Sequence, residues 1–168
     1  MIEKYNNKYR IPSARLKGWD YGADAIYFVT ICTNHRQHYF GEIEDNTMQL
    51  NAVGLIAQQC WLDIPKYFPN VILDAHVVMP NHVHGIVIID NKLDNLDEDK
   101  KWKSGTLGVI INQYKRIVTI NARKTDPKFE WQTRFHDHII RNQKSFQTIQ
   151  EYIQENPLRW VDDKFYNA

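Results

Sequence analysis

The chain has 168 residues, the length of one compact domain, and its 43% apolar and 24% charged residues are typical of a globular protein. A formal net charge of +1 excludes a strongly basic protein, so any affinity for nucleic acid has to come from local patches. Cys32 and Cys60 match neither a metal-knuckle nor a disulfide-scaffold spacing. The N-terminus lacks the apolar core of a signal peptide, and no apolar run reaches membrane-spanning length, which predicts a cytoplasmic protein without membrane contact.

The first third of the chain alternates apolar runs with turn signals. Residues 1–24 are polar, basic and aromatic without periodicity, and we expect them to form an extended basic arm. Residues 25–33, AIYFVTICT, are β-branched and aromatic, which is typical of a buried strand. Residues 40–50 alternate around a short polar turn and predict a hairpin. Asn51 is a good N-cap for a helix, because the apolar residues after it recur at helical spacing.

The middle of the chain predicts two adjacent strands and a loop. Residues 71–79 and 82–89 are apolar runs joined at Pro80-Asn81, a pair that favours turns. Residues 90–103 are dense in charge and nearly free of apolar side chains, so we expect a solvated loop.

The last third predicts a helix, a strand and a second helix. A helical apolar period begins at Thr106, and its opposite face carries a basic stripe composed of Asn112, Lys115, Arg116, Thr119 and Arg123. Residues 129–140 predict a strand. Ser145 is a candidate cap for the final helix, which should stop at Asn156 because that residue precedes a proline.

The order of these elements predicts the fold. The predicted order is strand, helix, strand, strand, helix and strand, with one added hairpin and a terminal helix. This is the ferredoxin-like split βαβ arrangement of the α+β class. In that fold an antiparallel sheet carries helices on one face. We expect residues 25–168 to form a single domain after the basic arm. The fold hosts many functions, so function has to be argued from the site.

A His-Val-His triplet begins the strand at residue 82. Side chains two apart on a strand leave the same face, so His82 and His84 can hold one divalent metal ion together. Two half-exposed polar residues at a strand end are the alternative interpretation. His136 and His138 form a second pair of equal spacing, and spacing alone cannot separate the two pairs.

The final helix offers a tyrosine and an amide on one face. Tyr152 and Asn156 are four residues apart, hence neighbours on that face. A phenol is a competent nucleophile once a metal or a base assists it, and an amide oxygen suits Mg²⁺ or Mn²⁺. The alternative is that Tyr152 packs in the core and Asn156 only ends the helix.

Four sequence runs together resemble a known family. They are, in order, YFVTICTNHRQHYFG (27–41), VVMPNHVHGIVI (77–88), WQTRFHDHIIRN (131–142) and YIQENP (152–157). This combination closely resembles the REP-associated tyrosine transposases, members of the HUH class of single-strand nucleases, which is named for a His-hydrophobic-His pair. The resemblance extends over about residues 10–160, and PNHVHG followed much later by YIxxNP is specific in combination.

The resemblance implies roles for individual residues. Tyr152 corresponds to the nucleophile, while His82, His84 and Asn156 correspond to ligands of Mg²⁺ or Mn²⁺. The reaction implied is attack on single-stranded or hairpin DNA, with a 5′-phosphotyrosine intermediate and rejoining by transesterification. The resemblance also implies that the arm holds a short stretch of the DNA. No role is assigned to His136 and His138.

Further expectations concern the partners of the protein. The candidates for phosphate contacts are Arg10, Arg15, Lys115, Arg116 and Arg123. Rejoining through a phosphotyrosine needs no nucleotide cofactor, and the Gly-rich run SGTLG (104–108) lacks the Lys-Ser/Thr of a P-loop. Association with the nucleoid follows from a DNA partner, and the sequence leaves a homodimer open.

The sequence is compatible with two alternative functions. One is a catalytically silent DNA-binding regulator on the same fold. The other is a metal-dependent phosphoesterase that uses the histidine pair and a metal-bound water, and such an enzyme would have no use for Tyr152.

Overall fold

One four-stranded antiparallel sheet organises the fold. The computed structural model describes residues 4–5, 8–9, 15–93 and 105–166. Its strands are β1 (Lys4–Tyr5), β2 (Lys8–Tyr9), β3 (Ala25–Cys32), β4 (Gly41–Glu44), β5 (Thr47–Leu50), β6 (Val71–Met79), β7 (His82–Ile89) and β8 (His136–Ile140). Its α-helices are α1 (Ala52–Leu62), α2 (Ile64–Tyr67), α3 (Leu107–Ala122) and α4 (Gln143–Glu155). The main sheet has the order β6-β7-β3-β8, and β1-β2 and β4-β5 are separate hairpins.

The predicted fold class is confirmed. The chain path β3-α1-β6-β7-α3-β8 is the split βαβ order, and every pairing within the main sheet is antiparallel. The hairpin β4-β5 is inserted between β3 and α1, as predicted, and α4 follows the last strand. Since β3 lies at the centre of the sheet, its two neighbours β7 and β8 bring residues far apart in sequence to the two sides of one strand.

The two faces of the sheet have different partners. Tyr27, Val29 and Ile31 alternate along β3 and point into a large core shared with the buried sides of α1 and α3. On the other face, Ile86 and Ile140 pack with Ile153 of α4 in a smaller cluster. Helices therefore cover both sides of the sheet and not one side as predicted, because the terminal helix α4 packs on part of the face opposite α1 and α3. Side chains on this second face meet α4.

Two local predictions were wrong. The strand expected at residues 129–140 is regular only in β8, because the segment before it joins the sheet only through an isolated bridge between Trp131 and Thr33. The cap of α4 is Asn142, whose side-chain oxygen accepts a hydrogen bond from the Ser145 backbone amide at 2.9 Å. Both residue types are good caps, and Ser145, three positions after Asn142, supplies the backbone amide that donates to the cap.

Parts of two predicted segments lie outside the described residues. The expected arm contains β1 and β2, which pair as a short antiparallel hairpin, but residues 1–3, 6–7 and 10–14 are among those not described. Arg10 is one of them. Most of the loop expected at residues 90–103 is likewise not described, because the described residues stop at 93 and resume at 105.

Candidate metal and nucleophile site

The His-Val-His triplet lies at the start of β7, directly after the tight turn at Pro80-Asn81. His82 and His84 leave the same sheet face, and their ring centroids are 4.4 Å apart. Both side chains are almost fully buried. His84 is positioned from β3, since its Nδ1 lies 2.9 Å from the Thr30 hydroxyl, and Thr30 is the residue opposite His84 in the strand register.

The tautomer of His82 follows from its neighbour. Its Nδ1 lies 2.8 Å from Asn81 Oδ1, which as a carbonyl oxygen can only accept a hydrogen bond. Nδ1 therefore carries the hydrogen and Nε2 keeps a lone pair. That Nε2 is buried and has no hydrogen-bond partner. An imidazole held by one nitrogen with the other free is the arrangement found in histidine metal ligands.

Burial keeps both imidazoles neutral. It lowers the pKa of His82 from 6.5 to about 3. Burial, together with the neighbouring His82, places the pKa of His84 well below its ordinary value. Histidine has to be neutral to donate its lone pair to a metal ion, so at neutral pH both rings are in the ligating form.

Helix α4 brings Tyr152 and Asn156 to the same two histidines. The Tyr152 hydroxyl lies 3.3 Å from His84 Nε2. Asn156 is buried at the end of the helix, and its Oδ1 is a second buried atom without a partner. His82 Nε2 on β7 and Asn156 Oδ1 at the end of α4 are thus both left without a hydrogen-bond partner. Buried polar atoms rarely stay unpaired, and a bound cation would satisfy both.

Sequence reasoning missed Asp163. Its Oδ2 accepts hydrogen bonds from Asn156 Nδ2 at 3.0 Å and from the Tyr152 hydroxyl at 3.4 Å. Potential ligand atoms of His82, His84 and Asp163 all lie within 4.8 Å of one another, so this group could hold a metal ion. Asp163 stands in an aperiodic stretch after the helix, and no spacing or motif in the sequence distinguishes it from Asp162.

The segment after α4 returns over the histidines and places Asp163. The 3₁₀ turn Trp160–Asp162 follows the end of α4, and the Phe165 ring then packs 4.6 Å from the His82 ring. Asn81 donates a hydrogen bond from Nδ2 to the Phe165 carbonyl at 2.8 Å. The same asparagine therefore orients His82 and anchors the segment that carries Asp163.

The Tyr152 hydroxyl is held in its protonated form. Burial, with the nearby Asp163 carboxylate second, raises the pKa of Tyr152 to about 12. A phenol with this pKa is almost entirely neutral near pH 7. Its use as a nucleophile therefore requires a group that takes its proton or a cation that offsets the Asp163 charge.

A cavity of about 660 Å³ opens onto this site. Its lining residues are Phe28, His84, His136, Tyr152, Asn156, Arg159, Asp162, Asp163 and Lys164. His136 belongs to the second histidine pair, and it lies opposite Thr30 on β8, so it shares a sheet face with His84. In the described part of the chain, however, the group of potential metal ligands contains His82 and His84 and neither member of the second pair.

The predicted cationic contacts are not brought together with Tyr152. Lys115 donates from Nζ to the Gln132 carbonyl at 2.7 Å, and Arg123 donates from Nε to the Phe129 carbonyl at 3.0 Å. These two cations hold the segment before β8. Arg116 is exposed on α3, and Arg15 is exposed with its guanidinium over the rings of Tyr21 and Phe135. Helix α3 packs on the sheet face opposite the histidines.

Comparison with known proteins gives a close relative and several similar structures. No protein-family model matches the chain. An uncharacterised protein of Haemophilus influenzae is 40% identical over 178 aligned positions, which cover 99% of each chain. A REP-associated tyrosine transposase bound to a REP hairpin superimposes with a TM-score of 0.54 at 19% identity, covering 94% of this chain and 77% of the other. A candidate transposase from Deinococcus radiodurans gives 0.50 at 14% identity, covering 84% and 96%.

At these identities the two structures establish the fold. The resemblance to the REP-associated tyrosine transposases indicated by the motifs is confirmed at that level. Among the described residues, the helices are all too short or too polar to cross a membrane.

Proposed function

We propose that this chain is a metal-dependent single-strand DNA endonuclease and transposase. The chain belongs to one family with the Haemophilus influenzae protein, and it has the fold of a REP-associated tyrosine transposase. Its substrate would be single-stranded or hairpin DNA of the repeat type. It would act through a 5′-phosphotyrosine intermediate and rejoin strands by transesterification. The observation that carries the proposal is the 3.3 Å approach of the Tyr152 hydroxyl to Nε2 of His84, because it joins a nucleophile to a candidate metal site.

The residues proposed to hold Mg²⁺ or Mn²⁺ are His82, His84 and Asn156. The unpartnered Nε2 of His82 and Oδ1 of Asn156 support this set, since both are buried atoms whose lone pairs are available to ligate a cation. Asp163 is a candidate fourth ligand, or it orients Asn156 by accepting from its amide nitrogen. When bound, such an ion supplies Lewis-acid polarisation of the scissile phosphate and fixes its position.

The chemical step proposed for Tyr152 is a displacement at phosphorus. The phenol oxygen forms a bond to phosphorus, the bond from phosphorus to the 3′ oxygen breaks, and that oxygen leaves as a hydroxyl after gaining a proton. Asp163 Oδ2, which already accepts a hydrogen bond from this hydroxyl, is placed to receive the phenol proton. The reverse step uses the 3′ hydroxyl of another strand and releases Tyr152. No bond energy is lost, so no nucleotide is consumed.

The test is a search for the covalent adduct. The protein is incubated with Mn²⁺ and hairpin DNA that carries a single-stranded flank and a label at its 3′ end, because a 5′-phosphotyrosine keeps the fragment on the 3′ side of the cut attached to the protein. The products are separated by denaturing electrophoresis. We expect a labelled protein band, because attack by a hydroxyl side chain leaves the DNA attached. Tyr152→Phe should abolish the band while leaving DNA binding intact. His82→Ala should also abolish it.

Tyr166→Phe is the matched control, since Tyr166 is an exposed tyrosine in the same segment of the chain. It should form the adduct at the normal rate. Cleavage without any adduct would instead support a phosphoesterase that uses water. Binding without cleavage under any metal would support a silent DNA-binding regulator. Either outcome would overturn the proposal.

A further inference from the structure

Three neighbouring cavities lie in a row along β8 and α4. The cavity at Tyr152 shares Phe28 and His136 with a second cavity of about 550 Å³. The second shares His138, Asn142 and Ser145 with a third of about 420 Å³, which reaches Leu16 and Tyr21. The shared residues place the three spaces side by side, with the third at the outer edge of β8. We call this the β8–α4 groove, and it ends at the proposed nucleophile.

The groove is rimmed by cations. Arg141 and Lys144 line its outer half, while Lys164 and Arg159 line the end near Tyr152, where Arg159 forms a salt bridge with Glu155 at 2.6 Å. All four side chains are exposed. Cationic rims along a channel attract a phosphate backbone and raise its local concentration.

The groove also contains carboxylates, and two of the three are engaged within the fold. Asp163 accepts hydrogen bonds from Asn156 and Tyr152, and Asp137 lies against the hydroxyl of Tyr21. Asp162 is exposed near the Tyr152 end. The rim that faces solvent along the outer half therefore carries positive charge.

The floor of the groove offers rings. Phe28 lies beneath two of the cavities, and His136 and His138 flank it from β8, where His138 is the residue opposite Phe28. Both histidines are exposed. Planar rings beside a cationic track are the combination that binds single strands without reading their sequence, because every base has a face that stacks.

The dimensions fit a short piece of strand. The groove follows α4 from Asn142 to Tyr152, which is ten residues and about 15 Å at 1.5 Å per residue. A strand with the stacked rise of about 3.4 Å per nucleotide would place about four nucleotides along it. The cations of α3 lie over the opposite face of the sheet and cannot line this path.

We propose that the β8–α4 groove binds the single strand that leads to Tyr152, with Arg141 and Lys144 on its phosphates and the rings of Phe28, His136 and His138 under its bases. This proposal rests on the proposed function for the identity of the ligand. It assigns the second histidine pair to strand binding instead of to a metal.

The test measures strand binding separately from catalysis. A fluorescein-labelled 12-nucleotide oligothymidylate is titrated with the Tyr152→Phe protein, and anisotropy gives Kd over a range of salt concentrations. Each phosphate contact on a single strand contributes about 0.7 to the slope of log K against log salt. In Arg141→Ala/Lys144→Ala the slope should fall by about 1.4, and Kd at 0.1 M salt should rise by about 25-fold.

The matched control is Lys124→Ala/Lys128→Ala, which removes the same charge from exposed positions beyond α3. Its slope should equal that of the parent. Arg141 also stacks over the Trp19 ring, so its loss can affect folding. Lys144→Glu avoids this, because an acidic residue in the first turn of α4 is favourable to the helix. It should raise Kd by at least about 5-fold at 0.1 M salt.

The two proposals fail in different ways. Unchanged slopes in both groove variants, or an equal change in the control, would overturn the groove even if the Tyr152 adduct forms. A flattened slope in the groove variants alone supports the groove even if no adduct is found, in which case the proposed chemistry is what fails.

Discussion

Adding Mn²⁺ to metal-free protein is expected to raise its melting temperature through His82, His84 and Asn156. The structure leaves His82 Nε2 and Asn156 Oδ1 buried without partners. A buried polar atom left unpaired costs about 1–3 kcal/mol, so the folded state without metal already carries part of the cost of building the site. An ion that satisfies both atoms binds the folded chain and has no comparable site in the unfolded one.

The size of the shift follows from linkage. At a metal concentration 100 times Kd, the folded state gains about 2.7 kcal/mol. For a chain of about this length each kcal/mol raises the melting temperature by about 2–4 °C. The expected shift is therefore about 5–11 °C, and it should be smaller at lower metal concentrations.

The assay is thermal unfolding in EDTA and across a titration of Mn²⁺, followed by circular dichroism. His82→Ala should remove most of the shift. The matched control is His136→Ala/His138→Ala, which removes the second pair on the same sheet face and should keep the full shift. An equal shift in His82→Ala, or a shift lost only in the control, would refute the assignment of the metal to β7.

Two other predictions concern stability. The pKa of His82 is about 3 in the folded chain and about 6.5 in the unfolded chain. Between these pH values the unfolded chain binds a proton that the folded chain excludes. The contribution of neutral His82 to the free energy of unfolding is therefore present above pH 6.5 and is lost as the pH decreases toward 3. Urea unfolding in EDTA should show that His82 lowers the free energy of unfolding by about 2 kcal/mol at pH 5 relative to pH 7. If the free energy of unfolding of His82→Gln depended on pH as strongly as that of the parent, this prediction would be contradicted. Gly85→Ala should lower the free energy of unfolding by about 1–3 kcal/mol, because the added Cβ would overlap the Trp61 indole. The rise in melting temperature on adding Mn²⁺ should persist in this variant. Loss of that rise at an unchanged free energy of unfolding would contradict a packing role for Gly85.

The strands of the site were predictable because their signals are local. β6 and β7 were predicted with their observed bounds, since apolar runs end at the Pro80-Asn81 turn and the period of two fixes the shared side of His82 and His84. The single face of Tyr152 and Asn156 followed from helical spacing in the same way. The contact between these two faces depends on the fold, so it cannot be predicted from the periodicity of either element alone.

The basic stripe shows what periodicity leaves out. Helical spacing placed Lys115 and Arg123 on one face, and the structure agrees, but that face turns toward the backbone carbonyls of residues 129–133. A cation that donates to carbonyls holds a chain segment, whereas one that faces solvent can bind phosphate, and the sequence pattern is the same for both. Asp163 shows the opposite problem, because no pattern in its aperiodic segment marks it. Its contacts with Tyr152 and Asn156 arise only because the chain after α4 folds back over the histidines.

The PNHVHG run illustrates how one short motif serves both sides of a sheet. His82 and His84 turn to the face covered by α4, while Val83 and Gly85 turn to the core. Gly85 has no side chain because the Trp61 indole from α1 occupies the space where a Cβ would lie. Asn81 is fixed by its contacts with His82 and with the Phe165 carbonyl. Half of the motif is therefore required by the chemistry proposed for the site, and the other half is required by packing that would be the same without that chemistry.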